Sequence, residues 1–126
     1  MAVKVLGAHH TSFPVRDLAR SRAFYEGVLG LSPIPRPDLG IGGIWYGAGA
    51  CEVHLIEVPA GAEVGSPPPA LNPLDRHAAF AVADYGAALA ELRQHGCEVL
   101  ETSPENGQMW VRDPDGHIIE LIVPRS

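Results

Sequence analysis

The chain carries an internal repeat. His10, Phe13, Val15 and Asp17 recur 67 residues later as His77, Phe80, Val82 and Asp84. Gly30 recurs as Gly96, and His54-Leu55-Ile56 as Glu120-Leu121-Ile122, both 66 residues later, with one residue missing from the second helix region. A unit of about 60 residues buries too little surface to stand alone, so the two copies must pair.

Each copy reads as strand, helix, strand, strand, strand. In the first, His10–Val15 is a strand, and Pro14 places it at a sheet edge or a strand end. Asp17 is a helix N-cap, Leu18–Leu29 an amphipathic helix, and Gly30 its stop. Leu31–Ile34, Gly43–Gly47 and Cys51–Val58 follow as strands, and Val3–Leu6 is a further short strand candidate. In the second copy His77–Val82 is a strand, Asp84 a cap, Tyr85–Gln94 a helix stopped by Gly96, and Cys97–Leu100 and Gln108–Arg112 are strands. Asp113-Pro114-Asp115-Gly116 then makes a turn, because proline presets φ and glycine supplies a positive one, and it launches a last apolar run ending at Val123. Residues 59–73, rich in Pro and Gly, connect modules of about 1–58 and 74–126 within a single domain spanning 1–126.

A chain of 126 residues with this pattern buries roughly 65–70% of its unfolded surface. Its formal charge of −6 gives no basic footprint, so nucleic acid is not an expected partner. No apolar run reaches a membrane span and the first residues do not open a signal peptide, so a cytoplasmic location with no membrane partner is the expectation. Cys51 and Cys97 form no CxxC and read as reduced thiols in strands.

Glu120 interrupts the last apolar run. A carboxylate there faces a large desolvation cost unless a cation or a donor compensates it. The repeat makes it the equivalent of His54, and the first strands open on His10 and His77. Side chains alternate along a strand, so Val53, Leu55, Ile119 and Leu121 face the helices while His54 and Glu120 face the other, concave side. Three imidazoles and one carboxylate suit a divalent metal ion: Zn, Ni, Co, Mn or Fe(II). His9, His95 and His117 lie outside this pattern and read as exposed or satisfied histidines.

The stretches HTSFPVRDLARSRAFYEGVLGL, EVHLIE, RHAAFAVAD and RDPDGHIIEL together resemble the vicinal oxygen chelate superfamily, which includes glyoxalase I, fosfomycin-resistance transferases, bleomycin-resistance proteins and extradiol dioxygenases. The resemblance is strongest to glyoxalase-I-like proteins. It implies an α+β fold of two βαβββ modules forming a cup-shaped mixed sheet, and metal ligands at His10, His54, His77 and Glu120. It further implies a homodimer with metal sites shared between chains, and a small-molecule substrate that chelates the metal through two adjacent oxygens.

Two positions depart from glyoxalase I, which generally has Glu where this chain has His54, and commonly Arg where it has Pro14. Three neutral imidazoles and one carboxylate leave a divalent ion with about +1. The resemblance implies a glyoxalase-like lyase or isomerase in which Glu120 is catalytic, shuttling a proton between carbons. The alternatives are a fosfomycin-type thiol transferase using His10, His77 and Glu120, an extradiol-like dioxygenase, and a non-catalytic drug-binding module. Trp45, Tyr46, Trp110, Arg36, Asn106 and Gln108 are candidate substrate contacts, with packing the competing role for the three aromatics and solvent exposure that for Arg36.

Overall fold

A computed structural model describes residues 1–125. The strands are β1 (His10–Val15), β2 (Ser32–Ile34), β3 (Gly43–Ala48), β4 (Cys51–Glu57), β5 (His77–Ala81), β6 (Val99–Glu101), β7 (Gln108–Arg112) and β8 (Ile118–Ile122). They form two mixed sheets of identical topology, β1-β4-β3-β2 and β5-β8-β7-β6, in which the first strand of each module lies parallel to its last. β1 and β5 are therefore edge strands, and an edge is where a strand holding Pro14 belongs. Residues 59–73 contain no strand or helix.

The helices begin where capping chemistry places them. Asp17 caps α1 (Leu18–Arg22) by accepting from the Arg20 N–H, and Asp84 caps α2 (Tyr85–Gln94) by accepting from the Ala87 N–H. The first helix does not stay α as far as Leu29. Over Ala23–Val28 it widens into a π-helix, with the Leu29 N–H donating to the Phe24 carbonyl five residues back. Gly27, a poor helix former, lies in this turn. The consecutive Phe24 and Tyr25 both enter the core there, and core packing outweighs the regular ladder. Val3–Leu6 is not a strand: no neighbouring strand pairs with it, and Val3, Val5 and Leu6 are exposed.

The helix-facing strand residues form one core that spans both modules. Val15, Val53, Leu55, Val111 and Ile119 are fully buried in it with Tyr25, Tyr46 and Met109. The modules are tied together by the turn between β7 and β8. Asp113 is buried, accepts the Tyr25 hydroxyl at 2.7 Å through Oδ2, and accepts the backbone N–H groups of Asp115 and His117 through Oδ1. Asp115 accepts from the Arg16 N–H and the Ser21 hydroxyl, and His117 Nε2 donates to the Pro14 carbonyl at 2.7 Å. Gly116 takes φ +90, a conformation that strains any residue with a Cβ, so the turn favours glycine there. His117, read from sequence as an exposed or satisfied histidine, is satisfied by the Pro14 carbonyl and so takes part in the junction.

Burial raises the Asp113 carboxyl above the ordinary aspartate range, and the Tyr25 and backbone donors partly oppose that rise. A raised acid pKa stabilises the fold fully below the unfolded value, and that contribution is lost as pH climbs through the folded value. Tyr25→Phe removes one donor from a buried anion. It is expected to cost about 1–3 kcal/mol at neutral pH and less once Asp113 is protonated, as read by urea denaturation at pH 7 and pH 4.

Candidate metal centre

Strand register fixes which side chains share the face opposite the core. In the first module, His54 on β4 is the partner of Trp45 on β3 and of Ser12 on β1, and Glu52 is the partner of His10. The rings form a stack. His54 lies between His10, with centroids 3.9 Å apart, and Trp45, at 4.1 Å and within 5° of parallel. His54 is 7% exposed, and its Nε2 lies 2.9 Å from Glu52 Oε1. This contact holds the Glu52 carboxyl below its ordinary range. Desolvation, then the neighbouring imidazoles of His54 and His9, lowers His10, which favours the neutral ring that a metal needs.

In the second module, Glu120 on β8 is the partner of Ala79 on β5 and Trp110 on β7. Glu120 is 6% exposed; its Oε2 accepts from the Gln108 amide at 3.1 Å, and its Oε1 lies 2.9 Å from His77 Nε2. His77 Nδ1 lies 2.8 Å from the Asp75 carbonyl, which can only accept, so Nδ1 carries a proton. In a neutral ring Nε2 then presents a lone pair to a carboxylate oxygen, an arrangement that is satisfied by a cation between them. An Nδ1–H held by a backbone carbonyl is also the usual outer support of a ligating histidine. The Trp110 ring meets His77 edge-on, and its Nε1 is buried with no hydrogen-bond partner among the described residues.

The donor chemistry of both pairs fits a divalent metal. Among the described residues of one chain, however, no three His, Cys, Asp or Glu side chains gather as a metal-holding group. The His10–His54 pair belongs to one sheet and the His77–Glu120 pair to the other.

The remaining candidates separate by strand parity. Trp45 and Trp110 lie beside the two pairs, and Gln108 braces Glu120. Tyr46 does not belong to the site. It follows Trp45 on β3, faces the core, is fully buried, and donates its hydroxyl to Glu26 at 2.7 Å. Arg36 is not a free solvated side chain: it is half-buried over Gly43, and its guanidinium donates to the Ile41 carbonyl at 2.9 Å, bracing the β2–β3 loop. Asn106 is exposed in the turn before β7. The sequence reading missed Glu52, although its place two residues before His54 put it on the same face. Between the edges of β1 and β5 lies a cleft of about 460 Å³, lined in part by Ser12, Arg16, Arg76, His77 and His117.

The model of the Glyoxalase/Bleomycin resistance protein/Dioxygenase superfamily matches residues 7–121. A protein of Arabidopsis thaliana named glyoxylase I 4 is 31% identical over 119 residues, covering 90% of this chain and 68% of that protein. The lactoylglutathione lyase of Salmonella typhimurium is 34% identical over 123 residues, covering 90% and 89%. A glyoxalase family protein of Bacillus anthracis superposes with a TM-score of 0.80 at 24% identity, over 99% of this chain and all of that one. A mutant of the fosfomycin resistance protein FosX of Listeria monocytogenes, complexed with Mn(II) and a dihydroxypropylphosphonic acid, superposes with a TM-score of 0.74 at 15% identity, over 97% and 95%. No helix among the described residues is long and apolar enough to cross a membrane. The chain belongs to the glyoxalase/bleomycin resistance protein/dioxygenase superfamily.

Proposed function

We propose that the protein is a metal-dependent, glyoxalase-like lyase acting on a small substrate that presents two adjacent oxygens. In this reading it works as a homodimer. The first-module pair, His10 and His54, joins the second-module pair of the partner chain, His77 and Glu120, around one divalent ion. The observation that carries this reading is the sorting of the four residues into two pairs on separate sheets, each too small to hold a metal alone. The similarity to a lactoylglutathione lyase supports the reaction class.

A bound divalent ion would act as a Lewis acid toward the developing negative charge on the substrate. The chain's own contribution is a positioned base. Glu120 is held at Oε2 by the Gln108 amide, while its Oε1 faces His77 Nε2 at 2.9 Å, where the ion would lie between them. Its carboxylate takes a proton from one carbon and returns it to the neighbouring one. The Trp110 ring beside it limits water access to that carboxylate.

One observation favours a second reading. His54 Nε2 is already engaged by Glu52, which leaves His10, His77 and Glu120 as a two-histidine, one-carboxylate set of the fosfomycin-transferase kind. The two readings are separated by reconstituting the protein with Ni, Co, Zn, Mn and Fe(II) and assaying the hemithioacetal of methylglyoxal and glutathione. Turnover with at least one metal is expected; no turnover with any metal sinks the glyoxalase reading for that substrate.

A further inference from the structure

Laying the repeat over the strand registers singles out Glu52. His10 is the partner of Glu52 across β1 and β4, and His77 is the partner of Ile118 across β5 and β8. Glu52 and Ile118 stand 66 residues apart, as His54 and Glu120 do. Along this face the second module therefore places an isoleucine and then a carboxylate, where the first places a carboxylate and then an imidazole. Side chains two apart on a strand share a face, so Glu52 lies on the same face as His54, two residues from the position that Glu120 holds in the second module. Both modules keep one imidazole–carboxylate contact of the same length, His54 Nε2 to Glu52 Oε1 and His77 Nε2 to Glu120 Oε1, each 2.9 Å.

We infer that Glu52 is a positioning residue of the first half-site: it accepts the His54 Nε2 proton, holds the ring between His10 and Trp45, and leaves Nδ1 as the electron pair offered to a divalent cation. The inference rests on the metal reading above. A carboxylate behind a ligating imidazole fixes its tautomer and raises its basicity. It also changes the charge count. Three neutral imidazoles with Glu120 leave a divalent ion at about +1, and adding Glu52 brings the assembly to about zero. A two-carboxylate balance is thus recovered without a carboxylate at position 54.

Two substitutions in the full-length protein test this. Glu52→Ile copies the second module and suits a strand, while Glu52→Gln keeps an acceptor and removes the charge. Zn(II) affinity, measured by calorimetry, is expected to fall about 10–100-fold in Glu52→Ile and by less in Glu52→Gln. The fold should persist in both variants, because Glu52 lies on the strand face opposite the core and its side chain is partly exposed. In the metal-free protein, long-range proton–nitrogen NMR of the His54 ring should show protonated Nε2 in the natural sequence and mixed tautomers in Glu52→Ile. An unchanged Zn(II) affinity in Glu52→Ile, or an unchanged His54 ring pattern, overturns the inference. If the natural protein binds no Zn(II) while the ring pattern still shifts, the metal reading fails and the Glu52–His54 linkage stands.

Discussion

If the proposed lyase reading holds, Glu120→Gln is expected to lower turnover by a factor of about 10²–10⁴, the usual contribution of a positioned general acid–base group. The substitution nearly preserves volume, and the site faces the same neighbours, so the fold should persist. What changes is charge and basicity at the one carboxylate that the second module offers. Glutamine cannot carry a proton from one carbon to the next. It also leaves His77 Nε2 facing a neutral amide in place of an anion. Metal affinity should therefore fall together with kcat. The measurement is kcat for the hemithioacetal alongside metal content per chain, each for the natural sequence and for Glu120→Gln loaded with the same ion. Turnover that survives in a metal-loaded Glu120→Gln shows that the proton moves by another group.

Much of this arrangement is legible in the sequence because strand parity is a strict rule. Once His54 and Glu120 are known to be equivalent, their alternation with Val53, Leu55, Ile119 and Leu121 decides which face each occupies, and those four apolar residues do fill the core. Asp17 and Asp84 mark the helix starts because a short acceptor before a helix satisfies backbone N–H groups that nothing else reaches. Trp45 and Tyr46 stand together in the sequence as candidate contacts, and the strand register separates them: the hairpin turn at Gly49-Ala50 sets Trp45 opposite His54.

Other features were not readable, for physical reasons. Val3–Leu6 has strand composition, but a strand requires a neighbour, and pairing is decided far along the chain. The π-helical turn depends on how Phe24 and Tyr25 meet the core, not on their spacing alone. Asp113 and Asp115 read as turn formers, which they are. Their second role, gripping Tyr25, Ser21 and Arg16 of the first module, follows from packing between modules. Equivalence by repeat singles out four metal-capable residues as one candidate set, but does not say in which chain they would meet.

That last point is the central claim, and mixing two disabled proteins tests it. One variant carries His10→Ala and His54→Ala, the other His77→Ala and Glu120→Ala, and each alone should bind no metal tightly. In a shared-site dimer, a mixed pair concentrates all four lesions in one site and leaves the other intact. In a site confined to one chain, every site stays damaged. Unfolding, mixing in equal amounts and refolding gives statistical pairing in a symmetric dimer, so about a quarter of the natural metal capacity should return. Recovery of tight binding to that level, absent from either variant alone, is the predicted result; a refolded mixture that binds no more metal than its components contradicts the shared site.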